Sequence, residues 1–143
     1  MLKWKYPKLI LVDHYYLIDT PTWKALSEDL QNREYHAHNR LIASVTMHPE
    51  ERRQVARLIA KKLKMAKGKT AFFLPLQGIE EWDKEGDVAY DPEGLAAFTD
   101  EVRKTMKDPI GYTEIDAHIN DQAFADAALD VFDGWLSDGT VTQ

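Results

Sequence analysis

Short, uninterrupted apolar runs alternate along this chain with longer segments in which apolar residues recur at helical spacing. The runs Leu9–Val12 and Thr70–Leu76 are rich in branched and aromatic side chains, which is typical of strands buried on both faces. Strands and helices that alternate in this way form parallel β-α units with right-handed crossovers. We therefore expect an α/β three-layer sandwich of Rossmann or flavodoxin type, with a mostly parallel sheet of about 4–5 strands.

Three helix starts can be read directly from the sequence. Pro49 precedes Glu50 and Glu51, and Asp91-Pro92-Glu93 repeats the same succession, which places a proline in the first turn and acids at the positive end of the helix. Asp121 is placed to cap a third helix. The apolar faces predicted for these helices are Val55, Leu58, Ile59 and Leu63; Leu95, Phe98, Val102 and Met106; and Phe124, Ala128, Val131, Phe132 and Trp135.

The remaining segments are less regular. Thr20-Pro21-Thr22 predicts a further helix start, and residues 33–38 and 41–45 are expected to be extended, as one strand or two. Residues 112–117 predict a shorter strand. The acidic loop 77–90 has two interpretations, a lid that orders over a ligand or a solvated excursion anchored by aromatic residues.

Composition restricts the class of protein. We expect one α/β domain over residues 1–136 and a polar tail over 137–143, in a chain of 143 residues. The chain has no cysteine, which excludes disulfides and thiolate chemistry, and no apolar run of bilayer length, so we expect a cytoplasmic protein without a membrane segment. The net charge of −6 disfavours nucleic-acid binding. The basic run 52–69 is interpreted as an exposed helix face.

The carboxyl ends of the predicted strands are the expected place for a ligand. His118, Asn120 and Asp121 follow one strand, and Asp116 lies just before them. His118 is a candidate general base or metal ligand oriented by Asp116 or Asp121. Alternatively, Asp121 caps the next helix while His118 and Asn120 hydrogen-bond the turn.

A second group of candidates lies on other segments. His36 and His38 share one side of an extended segment, and a metal site there needs a third ligand from His14, His48 or His118. Hydrogen-bonded or exposed histidines are the alternative interpretation. The candidate ligand-binding residues are His38, Asn39, Asn120, and Gln77 and Gly78 at the end of the Thr70–Leu76 run.

The sequence lacks the motifs of a serine hydrolase and of a phosphate-binding loop. No serine has the glycine-bracketed context of a nucleophile elbow, and no glycine-rich phosphate loop is present. The sequence assigns neither a cofactor nor a committed metal site. Acid-base, metal-assisted or purely binding roles are left open.

Three stretches together resemble signatures of the Tm-1-like (UPF0261) family. They are His38-Asn39 followed by Pro49-Glu50-Glu51; Leu74-Pro75-Leu76-Gln77-Gly78 continuing to Asp83, Gly86, Tyr90 and Asp91-Pro92-Glu93; and Asp116-Ala117-His118-Ile119-Asn120-Asp121 with Phe124-Ala125-Asp126-Ala127. The order and spacing of these motifs agree with the family from about Lys8 to Val131. The chain is therefore identified as resembling the C-terminal domain of that family, in a stand-alone, truncated form.

The resemblance has its own implications. Members of the family have two successive α/β domains, and nucleotide binding is attributed chiefly to the N-terminal one, so ATP binding carries over poorly to this chain. The family tends to place an arginine before the helix that begins at Pro49, whereas this chain has Thr46-Met47-His48. Losing an arginine weakens a carboxylate or phosphate site in that loop.

These observations predict three functions. The leading one is a small-ligand or protein-binding module that forms a homo-oligomer or joins a companion Tm-1-like N-terminal domain, because a short sheet exposes an apolar face or edge. The second is a hydrolase or lyase acting on a small polar metabolite through His118 with Asp116 or Asp121. The third is nucleotide binding inherited from the family.

Overall fold

The computed structural model describes residues 6–12, 16–107 and 109–141, and within them the chain forms six strands and three helices. The strands are β1 (Lys8–Leu11), β2 (Leu17–Pro21), β3 (Tyr35–Ala37), β4 (Ile42–Thr46), β5 (Thr70–Pro75) and β6 (Gly111–Ile115). The helices are α1 (Pro49–Leu63), α2 (Pro92–Thr105) and α3 (Gln122–Ser137). His14, one of the candidates for a third metal ligand, lies outside the described residues.

The strands divide into two sheets. A parallel sheet has the order β1-β5-β6, and an antiparallel sheet has the order β2-β4-β3. The prediction of one mostly parallel sheet of about 4–5 strands is wrong, because β4 pairs with β2 and β3 rather than with the parallel strands. The fold is mixed α/β with a three-stranded parallel sheet and three helices, and a Rossmann- or flavodoxin-like sandwich is not confirmed.

The helix predicted from Thr20-Pro21-Thr22 is also wrong. Thr20 and Pro21 are the last residues of β2, an edge strand, and a proline is tolerated at an edge because one row of its backbone groups has no ladder partner. The hydroxyl of Thr20 donates to the carbonyl of Ala43 at 3.2 Å, which ties the strand end to β4. The two extended segments that follow form separate strands, β3 and β4.

Alternating residues of β5 pack on opposite faces of the parallel sheet. Phe72 and Leu74 belong to the same core cluster as Ala56 of α1 and Phe98 of α2. Phe73, one position away, packs instead with Phe124 of α3 and Ala117. Because side chains alternate along a strand, this apolar strand places side chains into separate clusters on its two faces.

Helices α1 and α2 are joined by a buried arginine. Arg52 of α1 has a side chain that is 1% exposed, and its Nη2 lies 2.5 Å from Oδ2 of Asp91, the residue that precedes α2. Asp91 also accepts a hydrogen bond from the amide of Gly94, so it caps α2. A Cβ on Gly94 would lie 2.2 Å from Nη1 of Arg52, which explains the small residue there.

None of the helices in the described part of the chain is both long and apolar enough to cross a bilayer. Helix α3 ends at Ser137, at the start of the predicted polar tail.

Candidate functional site

The turns that follow β5 and β6 meet at one edge of the parallel sheet, as the sequence predicts for neighbouring parallel strands. The amide of Gln77 donates to the carbonyl of Ala117 at 3.1 Å, and the amide of Ile119 donates to the carbonyl of Gly78 at 3.0 Å. The side-chain amide of Gln77 donates to Oδ1 of Asp116 at 2.6 Å. The predicted site residues Gln77, Gly78, Asp116 and His118 are therefore neighbours.

His118 is buried in this junction, with a relative exposure of 3%. Its Nε2 lies 2.8 Å from Oδ1 of Asp83 and 3.0 Å from the carbonyl oxygen of Glu80. Its Nδ1 accepts a hydrogen bond from the backbone amide of Asn120 at 3.1 Å. Since Nδ1 accepts and both partners of Nε2 are oxygens, Nε2 carries the proton and donates it. Both ring nitrogens are thus engaged within the protein.

Asp83 connects His118 to a buried tyrosine. Oδ2 of Asp83 accepts the amide proton of Ile79 at 2.7 Å, while Oδ1 faces His118. Burial, followed by the neighbouring Asp83 carboxylate, raises the pKa of Tyr16 far above its ordinary range. The guanidinium carbon of Arg52 lies 4.4 Å from the centre of the Tyr16 ring. Tyr16, Asp83 and His118 therefore form a continuous polar row below the sheet edge.

The acidic loop 77–90 is packed into the protein along part of its length. Glu80 is 1% exposed and Asp83 is 7% exposed, while Ile79 and Ala89 form a core cluster with Tyr16. Residues 84–88 and Tyr90 are exposed, so the loop combines a packed first part with an exposed second part.

Gly78 is required by its surroundings. Its φ of +129° is a conformation that side chains rarely adopt, and a Cβ there would lie 2.5 Å from both Oδ1 of Asp83 and Cδ2 of His118. The close backbone approach predicted for Gly78 is thus an approach to two of the protein's own side chains.

The turn of residues 80–83 also contacts the other predicted site residues. Oε2 of Glu81 accepts a hydrogen bond from the side-chain amide of Asn120 at 2.6 Å. The ring of Trp82 packs against His36 and His38, with centroid distances of 4.7 Å and 4.3 Å. Both imidazoles lie on one side of β3 and its continuation, as predicted from their spacing of two residues. The loop thus links the histidine segment to the edge of the parallel sheet.

Two predicted residues shape turns. The side-chain oxygen of Asn39 accepts hydrogen bonds from the amides of Leu41 and Ile42, at 2.7 Å and 3.0 Å. Asp121 occupies the position that precedes α3, but its carboxylate accepts the amide proton of His118 at 2.9 Å rather than one from the helix. The predicted side-chain cap is therefore a bridge across the turn.

Among the described residues, no group of three or more histidine or acidic side chains is arranged to hold a metal ion.

A cleft with a volume of about 270 Å³ opens beside this polar row. Its polar lining consists of Tyr16, Gln77, Asp83, Tyr90, Asp91, Thr99 and Arg103. The sequence identified Gln77 as a candidate ligand-binding residue but placed Asp83 and Tyr90 only in the acidic loop. The combination of acidic and aromatic residues in that loop was the one sequence signal that could have indicated a binding site there. The sequence gave no signal for Tyr16 or Arg103, because both reach the cleft through tertiary packing.

The charged groups around the cleft are largely neutralised by partners. Nε and Nη2 of Arg103 lie 2.8 Å and 2.9 Å from the two carboxylate oxygens of Glu114, and its Nη1 lies 2.9 Å from Asp100. These carboxylates raise the pKa of Arg103 further above its ordinary range, and hydrogen bonds from Arg103 and then Tyr112 lower that of Glu114. Asp91 is paired with Arg52. The cleft therefore offers hydrogen-bonding groups rather than a strong net charge.

Comparison with known proteins identifies relatives over nearly the whole chain. Residues 2–136 match the uncharacterised protein family (UPF0261) C-terminal domain. A UPF0261 protein of Brucella melitensis is 46% identical over 137 residues, which cover 96% of this chain and 33% of the relative. A UPF0261 protein of Clostridium tetani is 32% identical, over 71% of this chain and 26% of the relative. The ToMV resistance protein Tm-1 of Solanum lycopersicum is 27% identical, over 92% of this chain and 18% of the relative.

The chain thus spans a third or less of the length of these relatives.

Proposed function

This chain belongs to the UPF0261 family, whose C-terminal domain it matches, and we propose that it binds a small polar ligand in the cleft beside β5. The observation that carries the proposal is the convergence of Gln77, Asp83 and Tyr90 on one cleft beyond the carboxyl end of a parallel strand. A binding site for a small molecule is usually a partly enclosed space on which a small number of polar groups converge.

The size and charge of the cleft favour a particular class of ligand. Its volume of about 270 Å³ lies just below the range of about 300–1,000 Å³ that accommodates drug-sized molecules, so a small metabolite fits best. Arg103 and Asp91 are already paired within the protein, which leaves the Tyr90 hydroxyl and the free acceptor capacity of Gln77 and Thr99 for the ligand. These groups favour an uncharged, hydroxyl-rich molecule over a phosphate or a strong cation.

Titration with sugars and polyols tests this proposal. We expect a molecule such as myo-inositol or glucose to shift the NMR signals of the Gln77 side-chain amide, and Gln77→Ala to weaken binding about five- to twentyfold by loss of hydrogen bonds. Gln54→Ala, which changes an exposed glutamine on α1, is the matched control and should leave binding unchanged. If none of the probes perturbs residues of the cleft, the proposed site is not a polyol site.

A second candidate function is the predicted acid-base catalysis; because His118, Asp116 and Asp121 do not line the cleft, Asp83 takes the substrate-facing role there. The buried contact between His118 and Asp83 supports it, because hydrogen bonds from His118 and Ile79 hold the Asp83 carboxylate at the wall of the cleft. In this scheme Asp83 faces the substrate, and His118 holds the Asp83 carboxylate in position. His118→Gln and Asp83→Asn should then abolish turnover of a bound ligand while Gln77→Ala mainly raises KM.

We further propose that the domain associates with a second copy or with a companion N-terminal domain. Leu129 and Phe132 are 55% and 40% exposed on α3, and β1 is an edge strand with Leu11 exposed at 47%. If these side chains form one contiguous apolar patch in solution, that patch is the expected mark of an interaction site. Light scattering tests self-association, and Leu129→Glu should reduce it.

Adding ATP to the titration above tests the third candidate, nucleotide binding.

A further inference from the structure

A second pocket lies between the antiparallel sheet and the loop that carries Trp82. Its volume is about 320 Å³, and it shares no lining residue with the cleft beside β5. Its lining includes Leu17, Glu34, Ser44, Trp82, Val88 and Ala89. We call it the sheet–loop pocket.

The floor of the sheet–loop pocket is apolar and fixed in place. Ala89 is 5% exposed and belongs to the core cluster with Tyr16, against which Leu17 and Trp82 pack. The contacts of Trp82 with His36 and His38 hold the indole against the sheet. An aromatic ring held in this way gives a hydrocarbon group, or a cation next to one, a favourable surface.

The buried hydroxyl in this pocket is oriented as an acceptor. Ser44 is 2% exposed, and its Oγ donates its proton to Oδ1 of Asp19 at 2.8 Å. Asp19 is directly opposite Ser44 in the register of β2 and β4, so their side chains share one face of the sheet. Because a carboxylate only accepts, the Ser44 proton is committed to Asp19 and the remaining lone pairs of Oγ are available to a donor.

Glu34 supplies the charge. It is the one carboxylate among the lining residues, which also include the imidazole of His36, and no described residue forms an ion pair with it. An apolar floor, a hydroxyl oriented as an acceptor and an unpaired carboxylate are complementary to a ligand with an apolar body and a positively charged donor.

We propose that the sheet–loop pocket binds a small organic amine, with its hydrocarbon body on Trp82, Leu17 and Val88 and its ammonium group facing Glu34 and Ser44. The volume of the pocket is at the low end of the range for small-molecule sites, which fits an arylalkylamine of the size of phenethylamine. This site is independent of the ligand proposed for the cleft beside β5.

The experiment compares three probes that share one body. Phenethylamine, 2-phenylethanol and phenylacetate differ only in whether the polar end is cationic, neutral or anionic. We expect phenethylamine to shift the indole NH signal of Trp82, assigned with Trp82→Phe, and to bind about three- to tenfold more tightly than the alcohol. Phenylacetate should bind more weakly than either, because Glu34 repels it.

Glu34→Gln removes the charge and keeps the shape. It should reduce the preference for the amine over the alcohol to about twofold or less. Glu28→Gln, an exposed carboxylate outside the pocket, changes the net charge equally and should retain the preference. Equal binding of the three probes, an equal effect of the two variants, or the absence of a Trp82 shift at millimolar amine would each overturn the proposal.

Discussion

Oδ1 of Asp83 lies 2.8 Å from Nε2 of His118, and this contact joins two segments that are 35 residues apart in the sequence. Both side chains are buried, at relative exposures of 7% and 3%. The contact fixes the loop after β5 to the turn after β6, and it places Asp83 at the wall of the cleft in which we propose that a ligand binds. The following predictions test the packing that maintains this arrangement.

Gly78→Ala tests the close approach at the centre of the junction. The new methyl group would overlap Asp83 and His118, and the positive φ adds backbone strain, so we expect a loss of about 2–4 kcal/mol in the free energy of unfolding. Gly134→Ala is the matched control, since it lies in α3 with nothing within 4 Å of an added Cβ. That change should stabilise the protein by about 0.5–1 kcal/mol. Urea denaturation of both variants makes the comparison, and a tolerated Gly78→Ala would contradict the packing described here.

Glu51→Gln tests the ion pair that joins the antiparallel sheet region to α1. Nη1 and Nη2 of Arg33, whose side chain is 6% exposed, lie 2.5 Å and 3.1 Å from the two oxygens of Glu51. Removing one charge leaves a buried guanidinium unpaired, and partial exposure of Glu51 reduces the effect, so we expect a loss of about 1–3 kcal/mol. Glu50→Gln, on the exposed side of the same helix turn, should change stability by less than about 0.5 kcal/mol.

The same pair predicts a dependence of stability on pH. The hydrogen bond with Arg33 lowers the pKa of Glu51 below its ordinary value of 4.5. A carboxylate with a lowered pKa in the folded state stabilises the protein above the unfolded pKa, and that contribution is lost as the pH falls through the folded pKa. Denaturation measured from pH 6 downwards should therefore show a smaller loss of stability for Glu51→Gln than for the wild type.

Tyr16 should titrate abnormally late. Burial and the Asp83 carboxylate raise its pKa above the ordinary value of 10.0, so the neutral hydroxyl stabilises the fold fully below pH 10 and this contribution is lost as the pH rises through the folded pKa. Absorbance at the phenolate band should show a tyrosine that ionises only with alkaline unfolding, and Tyr16→Phe should remove it. Tyr112, whose pKa is raised by burial and by Glu114, is a second late group and remains in that variant.

Arg52→Met tests the connection between α1 and α2. The substitution removes the hydrogen bond to the carbonyl of Met47 and the ion pair with Asp91, both made by a side chain that is 1% exposed. We expect a loss of about 1–3 kcal/mol, because the carbonyl of Met47 and the partly exposed carboxylate of Asp91 lose their donor. Arg53→Met removes a neighbouring arginine that is 37% exposed and should have an effect within about 0.5 kcal/mol. Similar thermal unfolding of the two variants would be inconsistent with a connecting role for Arg52.

Sequence patterns were sufficient for the elements whose signals are local. The prolines at Pro49 and Pro92 mark the first residues of α1 and α2, and the apolar runs give β1 and β5, because helix starts and buried strands depend on residues within a few positions of one another. The meeting of the Gln77 and His118 turns also followed, since neighbouring parallel strands end at the same edge.

Tertiary structure alone decided the second sheet and the lining of the cleft. The local sequence at Thr20 and Pro21 favours a helix start, but these residues form the end of β2 because they pair with β4. That pairing joins residues more than 20 positions apart and supplies hydrogen-bond partners to both strands. The burial of Asp83 in an acidic loop likewise cannot be predicted from the local sequence, because its partner His118 and the neighbouring Tyr16 come from distant parts of the chain. Local chemistry thus determined the elements, and long-range pairing of polar groups determined the candidate site.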